Sequence, residues 1–153
     1  MTHITLAVTG SISAYKAADI TSQLDKLGYS VSVLMTEAAS HFITPLTLQV
    51  LSKNPVSLDL MDEPRPDKVN HIEIGKETNL FLVAPATANT IAKLANGLAD
   101  NMVTATALAL PSHVKKAIAP AMNTKMHENP LTQHNLERLK KFGWEIIAPR
   151  EAV

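Results

Sequence analysis

What most constrains this chain is a rhythm: short apolar runs stop at a turn, and each is followed by residues with helical spacing. Residues 4–9 (ITLAVT), 31–35 (VSVLM), 80–84 (LFLVA) and 114–119 (VKKAIA) have the length and apolar character of strands. Runs as nearly continuous as 31–35 and 80–84 suit strands buried on both faces, which is how parallel sheets are built. Between them, Ala17, Ile20, Leu24 and Leu27 recur at three and four residues, with Gly28 as a stop. Residues 37–53 read as helical pieces broken at Thr44-Pro45, with an apolar face of Leu46, Val50 and Leu51. Residues 56–58 suit a short strand, 59–68 a charged loop with two prolines, and 69–78 a short helix or turn carrying His71. A helix after residue 90 ends at Gly97, and the alanine- and threonine-rich stretch 100–110 predicts another. Residues 131–142 place Leu136, Leu139 and Phe142 on one helical face before Gly143, and 144–148 form a last strand.

Strands alternating with helices predict an α/β chain: a Rossmann-like (flavodoxin-like) three-layer sandwich, with a parallel sheet and helices on both faces. At 153 residues the chain suits one domain with a substantial core. It stops directly after a strand with no covering helix, so the expectation is a single domain over 1–153 whose C-terminal flap is missing. Basic and acidic residues balance at 14 each, which points away from a polyanion or nucleic-acid partner. Aromatics at 4% argue against a base-stacking surface. No apolar run approaches the ~20 residues of a membrane span. The first residues lack a basic leader and run straight into strand-like alternation, so a cytoplasmic location is expected. Cysteine is absent, which removes disulfides, thiolate metal sites and a cysteine nucleophile. His3, His41, His113, His127 and His134 lack the spacing of a metal site, so no metal is expected.

Chemistry concentrates where the strands end. Residues 117–130 (AIAPAMNTKMHENP) stop a strand at Pro120, which cannot extend a ladder. Met122, Asn123 and Met126 therefore fall at the lip of the sheet, where open α/β folds bind ligands. The first turn, Gly10-Ser11-Ile12-Ser13, precedes a helix and can offer backbone N–H groups to an anion. A dinucleotide fingerprint would want glycine at positions 12 and 15, held here by Ile12 and Tyr15. A P-loop would accept Lys16 but not Tyr15 or Ala17. The phosphate of a mononucleotide remains. Thr36 follows the second strand, and Thr87, Asn89 and Thr90 follow Pro85. Each alone reads equally well as a helix cap, but three polar turns at one end of a sheet favour a nucleotide crevice.

Together these segments resemble one family, the homo-oligomeric flavin-containing cysteine decarboxylases. The likeness rests on Gly10-Ser11-Ile12-Ser13-Ala14, on Asn70-His71-Ile72, on Ala84 to Thr90 with Lys93 and the run Gly97 to Asn101, and on Pro120-Ala121-Met122-Asn123-Thr124-Lys125-Met126, which fits the PxMNxxM pattern. It spans nearly the whole chain. It implies bound FMN, which oxidises a terminal cysteine to a thioaldehyde so that its carboxylate leaves as CO2 and reduction follows. Within the family the likeness is to members acting on phosphopantothenoylcysteine, a small-molecule substrate on the way to coenzyme A. The resemblance also implies that His71 is the acid/base group and that Asn123 holds the substrate carboxylate, making both catalytic, with Met126 packing beside the substrate. Gly10, Ser11, Ile12, Thr36, Pro85, Thr87 and Asn89 would contact FMN, and the assembly would be a trimer or dodecamer. The bland readings are a surface helix histidine, a turn asparagine and a core methionine. One departure stands out: many members carry a proton-donating cysteine in a later mobile segment, and this chain has none. A decarboxylase of peptide C-terminal cysteines and a non-catalytic FMN-binding regulator are the competing readings. The PxMNxxM stretch speaks against a flavin-dependent prenyltransferase.

Overall fold

The computed structural model describes residues 2–58 and 70–148. The expected loop at 59–68 and the tail 149–153 lie outside the described residues. The chain forms β1 (His3–Val8), a 3-10 turn (Ile12–Tyr15), α1 (Lys16–Lys26), β2 (Ser30–Met35), a second 3-10 turn (Ala38–His41) and α2 (Pro45–Ser52). Then come β3 (Val56–Ser57), α3 (Asn70–Glu77), β4 (Leu80–Ala86), α4 (Ala88–Ala95), α5 (Met102–Leu108), β5 (Lys115–Pro120), α6 (Thr124–Glu128), α7 (Pro130–Lys141) and β6 (Trp144–Ile146).

All neighbouring strands pair in parallel, in the order β3-β2-β1-β4-β5-β6. The sheet grows one way through β2 and β3, then restarts beside β1 with β4 and continues to β6. The crevice at that reversal is where doubly wound sheets bind ligands. Thr9 knits the two halves there. Its hydroxyl donates to the Pro85 carbonyl at 2.7 Å and accepts from the Thr87 N–H at 3.0 Å. The Ala84–Pro85 bond is cis, and the β4–β5 register shifts between Val83 and Ala86.

Alternation along the strands builds two cores. Leu6, Val8, Val31, Val33 and Met35 pack with Ala14, Ala17 and Leu48 on one face, under α1 and α2. Ala7, Leu34, Phe81, Val83 and Ile118 pack with Ile91, Met102, Val103, Leu136 and Leu139 on the other, under α4, α5 and α7. That is the expected three-layer sandwich.

Two expected apolar faces differ. On α2, Leu48 is fully buried, while Leu46 and Val50 are 66% and 65% exposed. Leu46 and Val50 do share a helical face, but the opposite face meets the sheet, and spacing alone does not say which side docks. On α7, Leu136 and Leu139 are buried but Phe142 is 64% exposed. It sits at the C-cap, beyond the last helical turn, with the Arg138 guanidinium 5.5 Å above its ring. Trp144 fills the core instead, edge-on to Phe81 at 6.2 Å between centroids.

A mononucleotide-sized cleft at the strand ends

A cleft of about 540 Å³ opens at the carboxyl ends of the strands. Its walls come from every turn that sequence reasoning marked there. Gly10 and Ser11 follow β1, Thr36 to Ala38 follow β2, and Thr87 to Thr90 follow β4. Ala121, Met122 and Met126 follow β5. Lys93, Asp100 and Asn101 close the wall from α4 and the loop before α5.

The polar side chains around it are organised by capping. Ser11 accepts from the Ser13 N–H, Thr36 from Ala39, Thr87 from Thr90, Asn101 from Thr104 and Asn123 from Met126, all between 2.9 and 3.2 Å. Each cap fixes its turn, and at such a helix start the first N–H groups lack intrahelical partners. The bland reading and the ligand reading thus coincide, since the caps make the site.

Gly10 is where a side chain cannot fit. A Cβ there would lie 2.5 Å from the Ala38 Cβ, so the turn after β1 closes directly onto the turn after β2. Bare backbone at such a turn lets its N–H groups approach an anion. Among the described lining residues Lys93 is the one cation, against Glu37 and Asp100. Its ammonium is bound to Asp100 at 2.8 Å, and that hydrogen bond holds the Asp100 carboxyl below its ordinary range. A phosphate placed here would meet backbone dipoles rather than a free cation among the described lining residues. Neutral hydroxyls and amides with two thioethers suit a sugar-alcohol chain and a flat polar heterocycle, so the residues present fit a flavin mononucleotide.

The expected site residues do not all line the cleft. Gly10, Ser11, Thr36, Thr87, Asn89 and Met126 do. Ile12 is 78% exposed beside it. Pro85 is buried, with its carbonyl occupied by Thr9. Asn123 is exposed at the rim, its Oδ1 capping α6 while its Nδ2 has no partner among the described residues. His71 lies in the first turn of α3, a helix that runs toward the start of β4, so its backbone falls toward the cleft end of the sheet. Its side chain lies outside the described residues. Glu37, Ala38, Lys93, Asp100, Asn101 and Met122 line the cleft without having been assigned a role. Asn101-x-x-Thr104, a cap signature, was the readable signal for the α5 wall.

Fold and cleft define an α/β mononucleotide-binding domain. More particularly, residues 1–153 match the Flavoprotein family, and the chain belongs to it. It is 63% identical over 150 residues to a probable phosphopantothenoylcysteine decarboxylase of Streptococcus mutans, covering 98% of this chain and 84% of that protein. It is 44% identical over 149 residues to the coenzyme A biosynthesis bifunctional protein CoaBC of Bacillus subtilis, covering 97% of this chain. The chain spans 36% of that bifunctional protein's length. Among solved structures, the FMN-dependent cysteine decarboxylase SpaF superposes with a TM-score of 0.92 at 28% identity, covering 99% of this chain and 86% of that one. A PPC decarboxylase mutant superposes with a TM-score of 0.85 at 29% identity, covering 99% and 88%.

Proposed function

We propose that this chain is an FMN-dependent carboxy-lyase that converts 4′-phosphopantothenoylcysteine to 4′-phosphopantetheine in coenzyme A biosynthesis. The observation that carries the reading is the meeting of the Gly10 turn, the Thr87 cap and the Met122–Met126 lip in one cleft. The 63% identity to a probable enzyme of that name supports the substrate.

When bound, FMN supplies the two-electron oxidation of the substrate's cysteine and the electrons for the final reduction. The chain's own residues do the rest. Backbone N–H groups at Gly10, Ser11 and Ile12 hold the phosphate at the end of β1. Thr36, Thr87 and Asn89 offer hydroxyl and amide groups to the ribityl chain and ring edge, while buried Pro85 shapes the floor beneath them. Asn123 donates an Nδ2–H to the substrate carboxylate, a hydrogen bond strengthened by the ligand's charge. Its Oδ1 stays on the Met126 N–H, so the cap holds the amide in one orientation. His71 moves the proton, as imidazole titrates near neutrality. Met126 packs against the substrate's apolar stem. The active form is a cytoplasmic homo-oligomer, a trimer or dodecamer.

The likeness to the peptidyl-cysteine decarboxylase EpiD keeps a peptide's C-terminal cysteine as a second reading, with 30% identity against 63% favouring the small molecule. The test is to purify the protein, record its visible spectrum and measure CO2 release from both substrates. A yellow protein that releases CO2 faster from phosphopantothenoylcysteine is expected. A colourless protein that FMN does not reconstitute would sink the proposal, and preference for the peptide would move it to the second reading.

A further inference from the structure

The chain has no cysteine, so methionine carries all of its sulfur. Of the six methionines, Met1 and Met61 lie outside the described residues. Met35 and Met102 are fully buried, and Met122 is partly buried against the core beneath α4 and α5. Met126 is 47% exposed and lines the cleft. Thioether oxidation follows access of the oxidant to sulfur. Among the described residues the most exposed methionine thus stands in the wall of the proposed flavin site, and reduced flavins make hydrogen peroxide whenever dioxygen reoxidises them.

We propose that Met126 is a peroxide-sensitive modification site whose oxidation switches the cleft off. The sulfur lone pair attacks one peroxide oxygen and the O–O bond breaks. The sulfur becomes a sulfoxide, oxidised by two electrons, while the peroxide is reduced to water. A flexible apolar side chain becomes a polar one with a strong acceptor, set on a five-residue helix beside Met122. The lip then disfavours the substrate's apolar stem. The change is reversible by a methionine sulfoxide reductase and a thiol reductant, so a burst of peroxide dims the site without destroying it. The consequence for turnover rests on the function proposed above, but the chemistry at sulfur does not.

The experiment treats the FMN-loaded protein with graded hydrogen peroxide and maps sulfoxides by peptide mass spectrometry. Met126 is expected to oxidise on the order of tenfold faster than Met35 or Met102. On the function proposed, KM rises in step with Met126 sulfoxide and returns after reductase treatment. Met126→Leu, compared with its own untreated sample, is expected to show no peroxide-dependent rise in KM. Oxidation of Met35 or Met102 ahead of Met126 would overturn the site. Equal peroxide sensitivity in Met126→Leu would overturn the switch. Selective Met126 oxidation in a protein that binds no FMN would leave the modification site standing and remove the flavin reading instead.

Discussion

The two ends of the sheet use the same kinds of side chain in opposite ways. At the carboxyl end, Ser11, Thr36, Thr87, Asn101 and Asn123 bond to N–H groups two or three residues ahead. At the amino end the partners are far apart in sequence. The His3 ring bridges Ser30 at 3.1 Å and Ser32 at 3.0 Å, the His3 backbone N–H donates to the Asn79 Oδ1 at 2.8 Å, and the buried hydroxyls of Thr5 and Thr78 pair with each other. Local caps leave the space between turns open to a ligand, whereas cross-strand bonds close it. Thr9, whose hydroxyl ties the end of β1 to Pro85 and Thr87, is an exception at the binding end; for the caps, bonding range more than residue type separates that end from the clamped one.

The sharpest way to break this contrast is to change the open end without unfolding the closed one. Asn123→Ala and His71→Ala are each expected to lower turnover by roughly two to three orders of magnitude while FMN stays bound. Steady-state CO2 release beside the flavin spectrum checks both, and normal activity in either variant removes that residue from its role. Gly10→Val comes next. Its side chain meets Ala38, so it should cost about 3 kcal/mol and release FMN, read by denaturant unfolding and cofactor retention.

At the closed end, function should survive while stability suffers. Thr5→Val strands the buried Thr78 hydroxyl and is expected to cost about 2 kcal/mol with kcat unchanged. Adding Thr78→Val should recover much of that loss, because two apolar partners leave nothing unpaired. A double variant no better than the single one would mean the pair acts through packing alone.

The smallest effect is a pH dependence. Burial holds the His3 pKa below its ordinary 6.5, with Glu77 opposing. The folded state therefore binds fewer protons than the unfolded chain, so this contribution is complete above about pH 6.5 and fades as pH falls through the lowered value. Melting temperature should fall slightly on acidification, and His3→Gln should flatten that slope. An identical slope in His3→Gln would assign it elsewhere.

Much of this was legible because parallel strands and their caps announce themselves locally. The runs around Val33 and Leu82, the stops at Gly28, Gly97 and Gly143, and the polar turns at Ser11 and Thr87 need no knowledge of distant residues. Leu48 was missed because helical spacing finds faces without choosing between them. Phe142 was misplaced because its burial depended on where α7 stopped. The five-residue α6 is too short to show a period, so Asn123 and Met126 were placed at the lip without the helix that Asn123 caps there. Lys93 and Asp100 gave no signal as a pair, since the chain must double back through Gly97 to join them.

The crossover at Thr9 has a kinetic side. Thr9 and Pro85 stand 76 residues apart, so the cleft exists only after the first half of the chain has docked against the second. Closing a loop of that size carries an entropic cost that precedes its reward. A molecule held between the Gly10 turn and the Thr87 cap grips both halves at once, so its affinity reappears as resistance to unfolding. The ligand is therefore also a staple, and a chain that loses it loses some of the reason its halves stay together.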